Sequence, residues 1–420
     1  MDVLGLPLVP RPKSVVALGG RVVVTARTGD EVELDTARTD LGDEGYELVV
    51  GGDGVRGVAA NEHGRWNAQR TLGQLWAARA ADGSLPAIRV MDAPRFVWRG
   101  LMLDVARHFF PVSDVVRLID EMAEFKLNRL HLHLTDDQGW RVEIPSWPTL
   151  TEVGGRSAAY GDPGGWYSLD DYATIVRHAA DRFITVVPEI DVPGHTHAAL
   201  ASVAALNAGG VAPPPYHGVG VGFSSLRLGL AATEQFLDDV IGTVAAATPG
   251  PFLHIGGDEA HSTDRHDYLE FIDVVQQIVH RHGKVMVGWE ETATARLRES
   301  AVVQHWLFPE TARQAPPGVR FIMSPARHVY LDMRHHADDA LGRRWAGAID
   351  VDTAYDWDPT DLGVTADESR IEGVEAPLWT EKVRTFEQVE RLCFPRLLAV
   401  AEVGWTPRSE RSLPDFLARA

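Results

Sequence analysis

Leu130-His131-Leu132-His133-Leu134-Thr135-Asp136-Asp137 runs almost entirely apolar and then ends in two carboxylates. Ile184-Thr185-Val186-Val187 has the same character and is followed by Glu189 and Asp191. Strands buried on both faces of a parallel sheet read as runs of this kind. From Phe96 onward such segments alternate with helical stretches. The candidate strands are Gly100–Ala106, Asn128–Thr135, Ile184–Asp191, Phe252–Glu259, Val285–Glu291, Ala301–Trp306, Arg320–Ser324 and Gly373–Trp379. Between them, Ser113-Asp114 can cap a helix with Val115, Leu118, Ile119, Met122 and Phe125 on one face. Ser168 with Asp171 resembles a capping box, Thr233–Ala247 and Asp267–His282 read as two more helices, and Leu413–Ala420 reads as a short final one. Eight strands with intervening helices over about 320 residues predict an α/β fold, a (β/α)8 barrel. Such barrels build their active sites at the C-terminal ends of the strands. Those ends are polar here: Asp104 and Arg107, Asp136-Asp137, Glu189 and Asp191, Asp258-Glu259, Trp289-Glu290, Trp306 and Trp379.

Residues 1–93 have a different texture, rich in Gly, Asp and Arg. Short β-type runs at Val15–Ala17, Arg21–Val24, Tyr46–Val50 and Ala87–Val90, with a helical stretch over Asn61–Ala80, predict a small α+β domain ending at Asp92-Ala93-Pro94. No residue combination in it suggests chemistry, so it reads as a packing domain, with the catalytic barrel over 94–420. A long loop follows the third barrel strand and contains Ala212-Pro213-Pro214-Pro215; loops of that length are often functional.

With 40 Lys+Arg against 59 Asp+Glu the formal charge is −19, and no basic run interrupts it. Phosphate-binding surfaces need local positive charge, so nucleic acid and anionic membranes are poor partners. The single Cys393 excludes an intrachain disulfide and a multi-cysteine metal site, and its apolar surroundings predict a buried small hydrophobe. No apolar stretch of about eighteen residues is present to span a bilayer. No apolar segment follows a basic start, which predicts a cytoplasmic protein, or a secreted one if the N-terminus is truncated.

The strongest chemical signal is His254-Ile255-Gly256-Gly257-Asp258-Glu259. Glycines at a strand end mark a close approach of backbone or ligand. Two adjacent acids at a barrel rim are unfavourable unless one is neutral or both are paired. Along a strand they would face opposite sides, so one can stay ionised while the other holds a proton for general acid catalysis. A second constellation is Asp136, Asp137, Asp191 and His195, where Pro193-Gly194 turns His195 over the rim; an Asp–His–Glu relay can orient the acid's proton. Trp289, Trp306 and Trp379 at strand ends, with Tyr330 nearby, would give a pocket flat apolar walls, which suits the C–H faces of a sugar.

Seven ordered blocks over about residues 95–406 resemble glycoside hydrolase family 20, the β-N-acetylhexosaminidases. They are Phe96–Phe109, Leu130–Trp140, Pro188–His195, His254–Glu259, Val287-Gly288-Trp289, Tyr330-Leu331-Asp332 and Glu375–Glu381. The resemblance implies exo-acting removal of terminal β-linked GlcNAc or GalNAc from oligosaccharides or glycoconjugates, with retention and without metal or cofactor. The substrate's 2-acetamido oxygen would attack C1 and form an oxazolinium ion. By position, Glu259 would be the acid/base, Asp258 would hold the amide N–H, and Tyr330 would donate to the amide carbonyl. Asp136 and His195 would tune Glu259, with Asp191 supporting them. Trp289, Trp306 and Trp379 would enclose the acetamido methyl and sugar face; Arg107 and Glu381 would hold ring hydroxyls, with Asp332 and Trp345 at the remaining rim.

Two other readings compete. His131-x-His133 and His195-x-His197 have ligand-like spacings, as in a metal-dependent barrel hydrolase, but the first pair sits mid-strand and no complete ligand set is visible. A non-catalytic sugar-binding protein would lack Asp258 or Glu259, and both are present.

Overall fold

The computed structural model describes residues 5–24, 32–52 and 54–420. Its first five strands are β1 Ser14–Val23, β2 Val32–Leu34, β3 Tyr46–Gly51, β4 Gly54–Ala59 and β5 Ser84–Asp92. They form one sheet in the order β1-β5-β3-β4-β2, antiparallel except between β2 and β4. β1 unites the runs at Val15–Ala17 and Arg21–Val24 into one strand with an irregularity between Ala17 and Arg21. β2 and β4 carried no sequence signal, because one has three residues and the other contains Gly54 and Gly57. Helix α1, Glu62–Ala77, is capped by the Asn61 side chain, which accepts from the N–H groups of His63 and Gly64.

The eight expected barrel segments all form strands: β6 Trp98–Asp104, β7 Arg129–His133, β8 Thr185–Glu189, β9 Phe252–His254, β10 Val285–Trp289, β11 Val302–His305, β12 Arg320–Met323 and β13 Ile371–Leu378. They pair in parallel and in chain order, and β13 closes on β6 through Gly373–Leu378 against Trp98–Leu103. The main helices outside are α2 Val112–Glu124, α3 Leu169–Ala180, α4 Ala231–Ala247, α5 Arg265–Arg281, α6 Phe386–Cys393, α7 Arg396–Trp405 and α8 Leu413–Arg419. The capping box forms at Ser168 and Asp171. The cap expected from Ser113-Asp114 does not: both lie inside the first turn of α2, and Pro111 is the N-cap, without a side-chain cap.

Alternation along the strands sorts the core. Leu130, Leu132 and Leu134 pack with Val115, Leu118, Ile119 and Met122 of α2 in the main apolar cluster. Inside the barrel, Trp98, Val187, Val287, Val302 and Ile322 make an apolar floor. Two residues further along their strands the interior turns polar. His131 joins Glu375 through Nδ1 at 2.8 Å and Glu189 through Nε2 at 3.1 Å. Gln304 donates to Glu375 at 2.9 Å and Trp289 to Glu189 at 2.9 Å.

The N-terminal sheet is joined to the barrel by buried polar contacts. Trp405, in α7, lies in the sheet's core and donates to Asp92 Oδ1 at 2.8 Å. Lys126 Nζ donates to the Tyr46 hydroxyl at 2.8 Å and to Asp92 Oδ2 at 3.2 Å. Cys393 is buried in the barrel's outer core, and burial pushes its thiol up to about 12. No helix among the described residues is long and apolar enough to cross a membrane.

Candidate active site

β9 stops at His254, so Asp258 and Glu259 lie beyond the strand, and glycine turns rather than the strand pleat separate them. Gly256 and Gly257 have φ of 66° and 94°. A Cβ on Gly256 would sit 1.8 Å from Asp191 Oδ1, and one on Gly257 2.6 Å from Thr292 Cγ2. Glycine is therefore required at both by conformation and by space. The loop wraps Asp191, whose Oδ1 accepts from the Gly257 N–H at 3.1 Å. Glu259 and His195 adopt left-handed backbone at φ 44° and 55°. Such strain in non-glycine residues persists only where the surroundings over-determine it, and it gathers at functional sites.

A cavity of about 300 Å³ opens above these residues. Arg107, His195, Asp258, Glu259, Trp306, Tyr330, Asp332, Trp345, Trp379 and Glu381 line it, as expected. Arg343, Val219, Gly220, Val221 and Leu307 also line it and were not foreseen. Asp136, Asp191 and Trp289 do not line it. Trp289, expected as a wall, is 1% exposed and lies behind Trp379 with ring centroids 5.8 Å apart, held by its bond to Glu189. Asp191, expected to support Asp136 and His195, is buried under the glycine loop. A second cavity of about 320 Å³, between the N-terminal segment and α8, contains Arg11, Asp415 and Arg419. These pair with one another at 2.9 Å, which marks a structural junction.

One charged relay serves the cavity. Asp104 Oδ1 accepts from the N–H groups of Ala106 and Arg107 at 2.8 and 3.0 Å and so shapes the turn after β6. Arg107 reaches Asp136 Oδ2 at 2.7 Å and lies over the Trp379 ring at 4.8 Å. Asp136 also accepts from His133 Nε2 at 3.0 Å and from His195 Nδ1 at 3.2 Å. Burial alone would raise the Asp136 carboxyl, but Arg107 and His195 hold it far below the usual carboxylate range. Burial likewise opposes charge on His195, and Asp136, Asp191 and Asp258 outweigh it, so the imidazolium is favoured.

His195 Nε2 stands 3.7 Å from Asp258 Oδ2 and 3.5 Å from Glu259 Oε2. Burial and the neighbouring Glu259 push Asp258 up to about 6, although His195 pulls it down. Glu259 sits below its ordinary value, because His195 outweighs its partial burial. In the open site the proton therefore favours Asp258 over Glu259, the reverse of the order expected for an ionised Asp258 and an acidic Glu259.

The remaining wall is aromatic. Trp306 and Tyr330 lie nearly parallel with centroids 6.3 Å apart, Tyr330 and Trp379 are 6.4 Å apart, and Trp345 stands edge-on to Trp306 at 6.0 Å. Burial raises the Tyr330 phenol well above its ordinary value, so it remains a donor. The Trp306 indole donates to Glu291 at 3.2 Å; burial, Asp258 and Glu290 keep that acid protonated well above the usual range. At the closed end Arg343 Nη1 meets Glu381 Oε1 at 3.1 Å. Burial and Glu381 raise Asp332 well above the usual range, with Arg343 opposing.

Among the described residues, no ligand group joins the two histidines of either strand-spaced pair. His131 and His133 are each engaged by interior carboxylates. His195 faces the cavity, while His197 turns away, its Nε2 at 2.9 Å from the Pro214 carbonyl. The structure gathers other ligand groups that the spacing did not show: three fully buried ones around His131, His133 and His195, and one at the cavity, His195, Asp258 and Glu259.

Two sequence families match the chain: glycosyl hydrolase family 20, catalytic domain, over residues 96–267 and 261–408, and glycosyl hydrolase family 20, domain 2, over 13–93. A β-N-acetylhexosaminidase from Cellulomonas fimi is 44% identical over 386 residues, covering 90% of this chain and 77% of the relative. The solved N-acetyl-β-hexosaminidase of Streptomyces plicatus, in complex with Thio-NAglucal, superposes with a TM-score of 0.91 at 42% identity, over 99% of this chain and 94% of that one. The β-N-acetylhexosaminidase of Streptomyces coelicolor A3(2) gives 0.92 at 41%, over 99% and 94%.

Proposed function

Because the chain belongs to glycosyl hydrolase family 20 and is a glycoside hydrolase of the β-N-acetylhexosaminidase type, we propose that it removes terminal, non-reducing β-linked GlcNAc or GalNAc with retention, using the substrate's own 2-acetamido oxygen as nucleophile. The observation that carries this is the shared tether of the two cavity carboxylates. Asp258 and Glu259 are consecutive, and both face one imidazole nitrogen at 3.7 and 3.5 Å. Among retaining glycosidases this family is one of those in which the substrate assists, and Asp258 lies close enough to Glu259 for one acid to hold the 2-acetamido group while the other protonates the glycosidic oxygen. A neighbouring amide, folded under C1, supplies the nucleophile at high effective concentration.

In this reading Glu259 protonates the glycosidic oxygen as the C1–O bond breaks and the amide oxygen bonds to C1. Asp258 accepts the amide N–H and balances the positive charge of the oxazolinium ring. Tyr330 donates to the amide carbonyl, orienting it for attack. Water then adds to C1 from the face the leaving group vacated, giving its proton to Glu259, and the amide is restored. Asp136, with Asp191 and Asp258, holds His195 charged beneath the pair. Trp306, Tyr330 and Trp379 pack on the acetamido group and sugar face, Trp345 stands at the mouth, and Arg107, Asp332 and Glu381 take ring hydroxyls.

Substrate also corrects the proton order of the open site. The amide N–H favours ionised Asp258, and the sugar strips water from the side chain of Glu259, which is 28% exposed. Both changes move the proton toward Glu259. A cyclic thiazoline that mimics the oxazolinium tests the reading. It is expected to compete with substrate and bind about 10²-fold or more tightly than free GlcNAc; binding no tighter than GlcNAc would exclude the intermediate.

A further inference from the structure

We propose that the substrate-free cavity is also a binding site for one divalent transition-metal ion of the Zn²⁺ type, held by His195 Nε2, Asp258 and Glu259, and that this ion excludes the sugar. The ion site rests on the geometry of the three side chains, and its competition with the sugar rests on the proposed function. Their ligand atoms lie within 4.8 Å of one another, and all three line the cavity. A tetrahedral zinc with N and O ligands at about 2.0–2.2 Å has ligand-to-ligand edges of about 3.4 Å. Two edges of that tetrahedron already stand at 3.7 and 3.5 Å, from Nε2 to Asp258 Oδ2 and to Glu259 Oε2.

A second observation points to a ligand. His195 is 2% exposed and its Nε2 makes no hydrogen bond, only the two longer contacts to Asp258 and Glu259, while Asp258 Oδ1 has no hydrogen-bond partner; the ion takes the place of the Nε2 proton, which leaves to solvent. The other ring nitrogen is fixed: Nδ1 donates to Asp136 Oδ1 at 3.2 Å. A carboxylate behind a histidine sets its tautomer and aims the free nitrogen, which is the outer shell that zinc-binding histidines use. The cavity leaves a fourth position open to water. Other clusters with ligand spacing, such as His131–Glu189–His254, are sealed inside the barrel. The local excess of carboxylates in a chain of net charge −19 favours a dication over a monovalent ion. An ion so placed occupies the points where Glu259 and Asp258 would meet the sugar, so it competes instead of assisting.

The test is calorimetric titration of the full chain with ZnCl₂ at neutral pH, alone and with saturating GlcNAc. One ion per chain is expected, with affinity falling at least tenfold when GlcNAc fills the cavity. The His195→Gln variant is expected to lose the ion, and Asp136→Asn to bind it about 10–100-fold more weakly. In kinetics, zinc should raise KM and leave kcat unchanged. Absence of binding at millimolar zinc, binding that GlcNAc does not weaken, or binding that His195→Gln leaves intact would each overturn the proposal. Titrating GlcNAc without zinc separates the two ideas: if the sugar does not bind, the assigned substrate is wrong, and the His195→Gln comparison still decides the metal site.

Discussion

Asp136→Asn keeps the shape of a buried side chain and removes its charge. That carboxylate neutralises Arg107 at 2.7 Å, His133 at 3.0 Å and His195 at 3.2 Å. Removing one partner of a buried ion pair costs about 3–5 kcal/mol, because the other charges stay buried without it. At about 2.1 cal/mol/K per residue, a chain of 420 residues unfolds with an entropy of about 0.9 kcal/mol/K, so the expected loss is about 3–6 °C in Tm. The pH dependence follows from both partners. Asp136 has a depressed folded value, so its stabilisation is present above the unfolded aspartate value of about 3.9 and is lost only as pH falls through the folded value. His195 has a raised folded value, so its stabilisation is complete below about 6.5 and is lost as pH rises through the folded value. The gap between wild type and variant is therefore widest between about pH 4 and 6.5 and narrows above. On an unactivated β-N-acetylglucosaminide kcat should fall about 10²-fold, since Glu259 loses the charged imidazole that sets its acidity. KM should stay within about threefold, because Asp136 does not line the cavity and Asp104 still holds Arg107 at 3.3 Å. Thermal melts across pH 4–8 with parallel kinetics decide it; an unchanged Tm and pH–rate profile would refute the relay.

Asp258→Asn should stabilise the fold while damaging catalysis. Its folded value, raised to about 6, means that ionisation at neutral pH opposes folding; the variant should gain roughly 1–3 kcal/mol at pH 7, and the gain should vanish below about pH 4, as calorimetry across pH will read. Glu259→Gln should slow substrates with poor leaving groups by about 10²–10⁴-fold and aryl substrates with acidic leaving groups far less, read as kcat/KM against leaving-group pKa; equal losses for all would remove Glu259 from the acid role. Lys126→Met strands Asp92 in the seam between sheet and barrel, so melts should show a loss of about 3–5 kcal/mol with kcat of the folded enzyme unchanged.

The barrel was legible because its strands are apolar runs of strand length, and all eight appear where the runs lie. What the runs concealed was the barrel interior. In Leu130–Leu134 the leucines and histidines alternate, so the leucines face the helices while His131 and His133 enter a carboxylate layer. That layer depends on Glu189 and Glu375, from strands far away in sequence. Trp289 was placed on the wall by its position at a strand end, but its indole is drawn inward by Glu189. Asp258-Glu259 was legible as a pair; its separation was misassigned because the two glycines end the strand early. Arg343 and Val219–Val221 come from long loops without a periodic signal, and only the closed fold brings them to the cavity. The Ser113-Asp114 cap failed because Pro111, with φ −65°, already starts the helix two residues earlier.

Participation of the substrate amide is tested most directly by comparing kcat/KM for two aryl β-glycosides that share a leaving group and differ only at C2, one with acetamido and one with hydroxyl. An intramolecular nucleophile in place is worth several orders of magnitude, so the acetamido sugar should react about 10⁴-fold faster or more. Cleavage of the plain glucoside at a comparable rate would contradict the account.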